Sequence, residues 1–479
     1  MLKKKPESRT KIVCTLGPAC ASPEVLGAMV RDGMNAARLN FSHGTHAEHL
    51  VNLRHMRAAA RKYGEPVSVI LDLQGPKIRI GDLESPPVEL AAGDRIVITT
   101  RDASGKDNIL PTTYRHLPKD VKRGDRVLID DGKIELTVLS VKETEVALRV
   151  VTGGLVGEHK GINLPGIAVS APSLTGKDRR DLVFAFRHDI DYVALSFVRR
   201  AHDVAHLRDF IIEHGPKGRK IPIIAKIEKD EAIANFDAIL KETDAVMVAR
   251  GDLGVELPAE EVPLLQKMII RKCNEAGKPV IIATQMLESM VDSPTPTRAE
   301  ASDVANAVLD GADAVMLSGE TSVGKYPVKA VEVMGRIIAR TEEHVARSVP
   351  FDPDGIPSTH EYDPLSRSAC ILADQLKAAA IVVLTHSGKT AFHVAKFRPP
   401  SRIIAVTDRE KIMRRLNLVW GIGGLIVEDL KKDTDVAFRK IQADLLKQGY
   451  VSKGDTVVMM AGIPLFEGHP TNAIKVDVV

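Results

Sequence analysis

The chain has 479 residues, 44% of them hydrophobic, and a formal charge of only +3 at neutral pH. That length predicts about three domains, and the interspersed charge argues against a nucleic-acid-binding footprint. The four cysteines show no CxxC spacing, which is typical of reduced thiols in a cytosolic protein. The basic start of the chain is broken by Pro6 and Glu7, and no apolar run approaches the roughly 20 residues of a membrane span. We therefore expect a cytoplasmic protein without nucleic-acid or membrane partners.

Short apolar runs alternate with helix-patterned segments from the N-terminus onward. Their hydrophobicity is continuous, which indicates strands buried on both faces. The runs are 12–16, 36–39, 67–71, 192–197, 221–227, 245–249, 280–283 and 314–317. A weak internal repeat, DAVMVARGD from Asp244 and DAVMLSGET from Asp313, agrees with barrel symmetry. These eight units most economically form a (β/α)8 barrel, although alternation alone also permits a doubly wound open sheet.

About a hundred residues separate the third and fourth runs, far more than a β-α connection needs. This stretch contains β-rich runs at 95–100, 126–129, 135–139 and 145–151. Asp131-Gly132, between two of them, is a hairpin signal. We predict an all-β lid domain at 77–172, inserted at the mouth of the barrel, where it would exclude water.

A predicted helix at 326–349 is followed by a segment rich in proline and glycine. Further strands are predicted at 380–385, 402–407, 425–427, 456–460 and 475–478, with helices between them. The sequence therefore predicts an α/β chain of three domains: a catalytic barrel over 1–76 and 173–345, the lid, and a C-terminal α/β regulatory domain over 346–479.

Polar side chains follow nearly every predicted barrel strand, at the ends where barrel active sites gather. Glu228 and Asp252 are hard oxygen ligands of the kind that Mg²⁺ takes, and Lys226 and Arg250 suit phosphate or carboxylate. Taken alone, each of the two apolar runs that lead to these residues, 221–227 and 245–249, could be an ordinary core strand whose polar end is merely solvated. The strand ends carry Arg38, Asn40, Ser42, Asp72, Lys77, Arg79, Ser196, Arg199, Lys226, Glu228, Asp252, Thr284, Gln285, Ser318 and Glu320. We therefore predict a magnesium and phosphate site at this end of the barrel.

Several longer motifs run through the chain. They are TKIVCTLGPA from Thr10, GMNAARLNFSHG from Gly33, IAKIE from Ile224, VARGDLGVE from Val248, IIATQMLESM from Ile281, PTRAEASDVANAVLDGADAVMLSGET from Pro296 and GKYP from Gly324. Together they resemble the bacterial type of the pyruvate kinase family, essentially end to end. The resemblance implies a glycolytic enzyme that transfers a phosphoryl group from phosphoenolpyruvate to ADP, giving pyruvate and ATP. It also implies Mg²⁺, or Mn²⁺ in its place, a homotetramer and a phosphorylated allosteric effector.

The resemblance assigns roles to the matching residues. It implies Mg²⁺ on Glu228 and Asp252, with Lys226 facing a phosphoryl group whose transfer needs charge neutralisation more than covalent help. The helix start at Gly251 and Asp252 would hold the substrate carboxylate, with Thr284 nearby. Arg250 then supports the loop. The resemblance also implies that Arg38 and Arg79 add positive charge near the phosphoryl group. It implies a water-assisted proton relay through Thr284, Ser318 and Glu320. The implied nucleotide contacts are Asn40, His43, Arg79 and Lys160.

One departure from the family concerns potassium. Most potassium-dependent members read DTKGPEIR where this chain has DLQGPKIR at 72–79, so Leu73 replaces a threonine and Lys77 replaces an acidic residue. A lysine ammonium can stand where a monovalent cation would sit, which predicts activity without K⁺. The groups expected around it are Asn40, Ser42 and Asp72. The alternative is that Lys77 points to solvent beside an intact potassium site.

Two histidines and a lysine are weaker signals. Only His43 falls in the motif that matches the family. We interpret His46 and His49 as solvated helix residues. Lys160, in HKGINLPG, is either a nucleotide-phosphate contact or an ordinary turn lysine, and the sequence leaves both open.

The stretch THSGKT at 385–390 imitates the end of a P-loop. The earlier glycine of that motif would fall at Val383, so we reject a Walker site. A strand, a hydroxyl-rich turn and a helix start still favour an anion pocket. The match to the family's effector loop implies that it binds a phosphorylated regulator through Thr385, Ser387, Gly388, Lys389 and Thr390.

Two other functions compete with this one. An aldolase or lyase on the same barrel would explain Glu228 and Asp252, but not the inserted segment. A silent relative that only binds a phosphorylated metabolite would be expected to have lost Lys226, Glu228, Asp252 or Thr284, and all four are present.

Overall fold

The structure is a computed structural model that describes residues 8–106, 108–216, 218, 220–428, 433–465 and 469–479. The basic N-terminal segment with Pro6 and Glu7 lies outside these ranges. Within them, we find no helix that combines the length and apolarity needed to cross a bilayer.

The strands follow the chain in three groups. The first is β1 Lys11–Leu16, β2 Met34–Asn40 and β3 Ser68–Asp72. The inserted segment holds β4 Val88–Leu90, β5 Arg95–Thr99, β6 Ile109–Pro111, β7 Arg126–Ile129, β8 Ile134–Val141, β9 Glu145–Thr152, β10 Gly154–Val156 and β11 Ile162–Asn163. After it come β12 Tyr192–Leu195, β13 Ile223–Ile227, β14 Ala245–Ala249, β15 Val280–Ala283 and β16 Ala314–Leu317, then β17 Ala380–Leu384, β18 Arg402–Thr407, β19 Ile422–Ile426, β20 Thr456–Ala461 and β21 Ala473–Val478.

The α-helices lie between these strands. In chain order they are α1 Pro23–Asp32, α2 His46–Tyr63, α3 Leu117–Asp120, α4 Gly176–Arg187, α5 Ala201–His214, α6 Asp230–Ala234, α7 Phe236–Glu242, α8 Arg250–Glu256, α9 Val262–Ala276, α10 Arg298–Leu309, α11 Gly319–Ser322, α12 Pro327–Ser348, α13 Asp363–Gln375, α14 Lys389–Lys396, α15 Glu410–Leu416 and α16 Thr434–Lys447.

The predicted barrel is confirmed, and it is closed. The strand order is β1-β16-β15-β14-β13-β12-β3-β2, with β1 pairing in parallel with both β2 and β16. One apolar cluster fills the barrel interior, with Val13, Ile70, Ile224, Met247 and Ile281 among its members. A second, larger cluster lies between the strands and the surrounding helices. Burial on both faces explains the continuous apolar runs.

The inserted segment has its own sheets and its own core. A six-stranded sheet runs β11-β7-β8-β9-β5-β6, and β10 pairs with β4. The hairpin predicted at Asp131-Gly132 is present, with Ile129 opposite Ile134 and both turn residues at positive φ. The short strands β4, β6, β10 and β11 escaped prediction because two or three residues carry no periodic signal. The segment also contains the one-turn helix α3.

The C-terminal domain is a mostly parallel sheet with helices around it. Its order is β19-β18-β17-β20-β21, with β21 antiparallel at one edge. Apolar clusters cover both faces. Strand β19 starts earlier than predicted because Gly423 and Gly424 hide its apolar pattern.

Alternate barrel strands begin with the same side-chain device. In chain order, the second, fourth, sixth and eighth barrel strands each have a carboxylate or amide oxygen just before or near their start. That oxygen accepts the N–H of the first or second residue of the preceding barrel strand. The pairs are Asn35 with Ile12 at 2.9 Å, Asp191 with Val69 at 2.9 Å, Asp244 with Ile223 at 2.8 Å and Asp313 with Val280 at 3.0 Å. The internal repeat seen in the sequence therefore has a structural role at the base of the barrel.

The C-terminal domain binds three of these four residues. Arg414 Nε donates to Asp191 at 3.0 Å, the Trp420 N–H donates to Asp313 at 3.0 Å, and Asn417 Nδ2 donates to the Asn35 carbonyl at 3.0 Å. Leu418 is fully buried in the cluster that fills the barrel interior. The C-terminal domain thus closes the base of the barrel, which leaves the other end for the predicted site.

Candidate active site

The centre of the candidate site is the ammonium group of Lys226, near the end of β13. Its Nζ donates to Ser196 Oγ at 2.7 Å and lies 2.8 Å from Glu228 Oε1 and 3.3 Å from Asp72 Oδ1. Burial disfavours the charged form, but the two carboxylates outweigh it and raise the pKa of Lys226 above its usual range. The barrel therefore presents a permanent positive charge, held by three strand ends.

Asp72 connects this lysine to a second cation. Arg38 Nε donates to Asp72 Oδ2 at 2.6 Å, and Arg38 Nη1 donates to Thr15 Oγ1 at 3.1 Å. Asp72 is buried, which alone would raise its pKa, yet Lys226 and Arg38 lower the pKa of Asp72 below its usual value. An ionised Asp72 thus fixes the spacing between the two positive groups.

Two further carboxylates lie beside Lys226. Glu228 Oε2 accepts the Phe197 N–H at 2.8 Å, and Phe197 adopts a left-handed φ of 57° to make that contact. Asp252, in the first turn of α8, has its pKa raised to about 6 by burial and by the charge of Glu228. The protein therefore leaves negative charge unbalanced here, although Lys226 and Lys77 offset part of it.

This carboxylate pair fits a divalent cation. Across the described ranges, no cluster of three or more His, Cys, Asp or Glu side chains is placed to hold a metal ion. A cation at Glu228 and Asp252 would therefore take its other ligands from substrate and water. That is the usual way in which Mg²⁺ binds, through one or two carboxylates plus phosphate oxygens.

Thr284 follows β15 in a strained conformation, with φ 69°. Its Oγ1 accepts the Gly251 N–H at 2.7 Å and donates to the Ala283 carbonyl at 2.6 Å. Arg250 Nη2 donates to the Thr284 carbonyl at 2.8 Å, while its Nη1 lies 2.7 Å from Asp303. Arg250 therefore holds the loop that follows β15, while its support of the loop at Gly251 and Asp252 stays a prediction.

Glu320 joins the loops that follow β15 and β16. It is fully buried, and its two oxygens accept the N–H groups of Leu287 at 3.0 Å and Ser318 at 2.7 Å. Burial raises the pKa of Glu320 despite these hydrogen bonds. A carboxyl group with a raised pKa is suited to holding a proton, which is relevant to the relay that the sequence suggested.

Positive groups also line the side nearer the inserted segment. Burial and the charges of Lys77, Arg79 and Arg38 lower the pKa of His43. Arg79 Nη1 donates to the His159 carbonyl at 2.7 Å, so this arginine is held by a second part of the insert. Lys160 belongs to the same region.

Lys160 Nζ pairs with Asp130 Oδ1 at 2.9 Å, and Lys133 shares that carboxylate. The pair with Asp130 does not distinguish the two interpretations of Lys160. An ordinary turn lysine could form it, and so could a lysine that contacts nucleotide phosphates only when nucleotide is bound. The choice stays open on the contacts of the described residues.

The structure does not bring together the groups expected around Lys77. Its side chain is exposed and makes no hydrogen bond or ion pair with any residue that the structure describes. Asp72 is committed to Arg38 and Lys226, and Asn40 Oδ1 accepts the Ser42 N–H at 3.2 Å. Leu73 is buried.

Lys77 lines a cleft together with Asp131 and Asn163 of the insert and Lys229 and Asp252 of the barrel. A cationic role for this lysine in the cleft therefore stays a prediction.

The two other histidines of the His43 region differ from each other. His46 is half exposed and contacts Asp181 Oδ1 at 2.7 Å. His49 is buried, contacts the His43 carbonyl at 2.9 Å and stacks on Phe41 with ring centroids 4.2 Å apart. The prediction that His49 is solvated was wrong, because spacing alone does not reveal which helix face is covered.

The predicted effector loop lies between β17 and α14. The Gly388 N–H donates to Thr385 Oγ1 at 2.9 Å, and Gly388 has φ 87°. Thr390 Oγ1 contacts Thr471 Oγ1 at 2.5 Å. The side chains of Ser387 and Lys389 are exposed, so they are available to an anion.

Sequence reasoning gave no specific role to several residues around the site. Ser196 was recognised only as a polar strand end, and Thr15 and Phe197 were not recognised as site residues. Lys229 pairs with Glu256, and both side chains are buried. Nothing in the sequence signals that pair, because its members lie on different β-α units.

Comparison with known proteins decides the family. The model described as "Pyruvate kinase, barrel domain" matches residues 7–331, and "Pyruvate kinase, alpha/beta domain" matches residues 363–477. The chain belongs to the pyruvate kinase family. Members of that family with similar sequences include the pyruvate kinases of Geobacillus stearothermophilus, 47% identical over 98% of this chain and 80% of that protein, and Corynebacterium glutamicum, 47% identical over 99% and 98%.

A solved structure in the pyruvate kinase family has the same fold. It is a pyruvate kinase from Cryptosporidium parvum, with a TM-score of 0.90 and 38% identity, covering 98% of this chain and 96% of that one. As a pyruvate kinase family member, this protein is a phosphotransferase. Family membership decides against the aldolase or lyase alternative.

Proposed function

We propose that this protein transfers the phosphoryl group of phosphoenolpyruvate to ADP, forming pyruvate and ATP in the cytoplasm, as a step of glycolysis. The observation that carries the proposal is the buried Lys226 ammonium, held by Ser196, Glu228 and Asp72 at the barrel mouth. A fixed cation stabilises the charge that spreads over phosphoryl oxygens during transfer, and a preorganised one needs no rearrangement.

We infer that Glu228 and Asp252 hold Mg²⁺, or Mn²⁺ in its place. When bound, the cation neutralises phosphoryl and carboxylate oxygens. Its positive charge would also offset the repulsion from Glu228, which together with burial raises the pKa of Asp252 to about 6. Among the protein's own groups, Lys226 faces the phosphoryl group and Arg38 adds charge beside it, while Asp72 keeps the two cations apart.

The remaining roles concern the substrate carboxylate, the transferred proton and the nucleotide. The Gly251 and Asp252 N–H groups at the start of α8 would hold the substrate carboxylate, after Thr284 Oγ1 releases the Gly251 N–H. Product formation needs one proton on the enolate carbon. We assign its delivery to a path of Thr284, Ser318 and Glu320, with a water between them because a threonine hydroxyl is a weak acid. The assigned nucleotide contacts are Asn40, His43, Arg79 and Lys160.

Formation of ATP from phosphoenolpyruvate, ADP and Mg²⁺ tests this function directly. The Lys226→Met variant should lose almost all activity, whereas Lys272→Met should retain it, because Lys272 is a partly exposed lysine on helix α9 that pairs with Asp237. Absence of ATP with the unaltered protein, or full activity of Lys226→Met, would refute the proposal.

We further propose that turnover does not require K⁺, with Lys77 supplying the monovalent charge. In support, Lys77 lies close enough to Asp252 to lower the pKa of that carboxyl group. Strong stimulation when K⁺ is added to a tetramethylammonium buffer would contradict this. The Lys77→Glu variant should acquire such stimulation.

We also propose regulation through the loop at 385–390, in a C-terminal regulatory domain over 346–479, and a homotetrameric assembly. The barrel domain would comprise 1–76 and 173–345, and the lid 77–172. Replacing Lys389 and Thr390 together should abolish activation by a phosphorylated effector and leave basal turnover intact. Unchanged activation would refute the assignment, and light scattering would test the tetramer.

A further inference from the structure

The two chain crossings between the barrel and the insert meet at one buried carboxylate. The outgoing crossing passes Gly75, and the returning one ends at Thr175, which caps α4. Asp178 Oδ1 accepts the Gly75 N–H at 3.2 Å, and Oδ2 accepts the Thr175 N–H at 2.9 Å and the Thr175 hydroxyl at 2.6 Å. Asp178 is fully buried.

The bond to Gly75 goes beyond what a helix cap requires. In the capping box of α2, Glu48 Oε2 accepts the N–H of Thr45 at 2.7 Å and Thr45 Oγ1 accepts the N–H of Glu48 at 3.3 Å, which completes the box. Glu48 Oε2 also accepts the Thr45 hydroxyl at 3.0 Å. Asp178 makes the same bonds within its own cap, and its side chain adds one to a distant segment. The α4 cap thus also holds the outgoing crossing.

The outgoing crossing is in direct contact with groups that organise the site. Gly75 has φ 67°, and a Cβ there would lie 2.8 Å from Phe197 Cδ2 and 3.2 Å from Ser196 Cβ. Phe197 donates its N–H to Glu228, and Ser196 accepts from Lys226. A shift of Gly75 would therefore displace the residues that hold the proposed metal ligand and the central ammonium.

We propose that Asp178 is a positioning residue that joins the two crossings into one hinge. It holds both crossings at a fixed separation, so the insert can turn without moving Gly75 against Ser196 and Phe197. The kinetic part of this inference rests on the proposed function, because it assumes that the insert reaches the nucleotide during turnover. The structural part does not depend on activity.

The test compares Asp178→Asn with Glu48→Gln, which weakens a capping box that lacks the bond to a distant segment. Spin labels on Leu155→Cys in the insert and Ile212→Cys in the barrel would report the distance between the two parts, since both positions are exposed. The native cysteines are all buried, so selective labelling is feasible. Dilution with unlabelled protein restricts the measurement to pairs within one chain.

In Asp178→Asn, we expect a broader distance distribution and about tenfold faster hydrogen exchange of the amide at Gly75. Asparagine has one acceptor oxygen, which the two shorter bonds from Thr175 should retain, so the Gly75 amide then faces the NH2 group and loses its acceptor. We also expect about tenfold lower kcat with a smaller change in KM, because the site is misaligned after binding. Glu48→Gln should change none of these. An unchanged distance distribution in Asp178→Asn would overturn the proposal, even if its stability fell.

Two further results separate the possible failures. If the unaltered protein forms no ATP, the proposed function fails. The hydrogen exchange of the Gly75 amide and the distance between the spin labels still test the hinge in that case. If Asp178→Asn does not fold, Thr175→Ala removes the 2.6 Å bond on the returning crossing and the N-cap bond from the Asp178 N–H at 3.2 Å, and it leaves the acceptor of Gly75 in place. That variant should broaden the distance distribution without faster exchange at Gly75, and a distribution like that of the unaltered protein would overturn the hinge.

Discussion

Ser196→Ala isolates the positioning of the central ammonium. The Ser196 hydroxyl accepts from Lys226 Nζ at 2.7 Å and donates to the Leu73 carbonyl at 2.7 Å. Alanine removes both bonds while leaving every charge of the site in place. The variant therefore asks whether the direction of the Lys226 side chain, and not only its charge, contributes to turnover.

The contacts set the expected magnitude. A hydrogen bond to a charged group contributes about 1.5–3 kcal/mol, and each 1.36 kcal/mol is tenfold in rate, which gives about 10- to 150-fold in kcat. Glu228 at 2.8 Å and Asp72 at 3.3 Å still hold the ammonium. We therefore expect the lower end of that range, about a tenfold fall in kcat with little change in KM.

Steady-state kinetics with phosphoenolpyruvate and ADP provide the assay, and Ser68→Ala is the matched control. Ser68 is also a buried barrel serine, but its Oγ has no hydrogen-bond partner among the described residues. Ser68→Ala should be nearly silent in both kcat and thermal stability. Equal kinetics for the two variants would refute the positioning argument, as would a loss confined to KM.

Two predictions concern buried ion pairs. Burial would raise the pKa of Asp363, but donors led by Lys396 lower it to about 2, against about 3.9 unfolded, so Asp363→Asn should cost about 2.5 kcal/mol at pH 7. Because the pKa of Asp363 is lower in the folded state, the cost of the substitution should be complete above about pH 5 and vanish as the pH falls towards 2. Urea unfolding followed by Trp420 fluorescence measures the free energy of unfolding at each pH. A cost that does not change with pH would contradict the prediction. Asp191→Asn and Arg414→Met should each cost about 1.5–3 kcal/mol, because each removes a charge-assisted hydrogen bond while Asp191 keeps Arg57 and Arg414 keeps Asp189 and Glu410, and the double variant should cost less than their sum. Additive costs in the same assay would show that the pair is not coupled.

The barrel could be predicted because its strands are covered on both faces, and such burial leaves a continuous apolar signal in the sequence. The same runs placed Lys226, Glu228 and Asp72 at one end, since the carboxyl ends of parallel strands share one edge. Closure and register were not visible. They depend on pairing between β1 and β16, whose paired residues Lys11 and Ala314 lie about three hundred positions apart in the sequence.

The choice of partners within the site could not be predicted. Asp72 was expected beside Lys77, yet Arg38 and Lys226 take both of its oxygens. A buried carboxylate binds whichever cations the strand register brings within reach, and the register depends on the whole barrel. His49 shows the same limit, because burial of one helix face depends on what packs over it.

The barrel base and the site lie at opposite ends of the same short strands. Asp191 precedes β12 and Ser196 follows it; each strand residue adds about 3.3 Å, so the four residues of β12 span about 13 Å. Because Arg414 binds Asp191, a displaced C-terminal domain would pull on the strand that ends at the partner of Lys226. If an effector acts through that domain, Arg414→Met should weaken activation more than basal turnover. Activation that survives intact in this variant would place the coupling elsewhere.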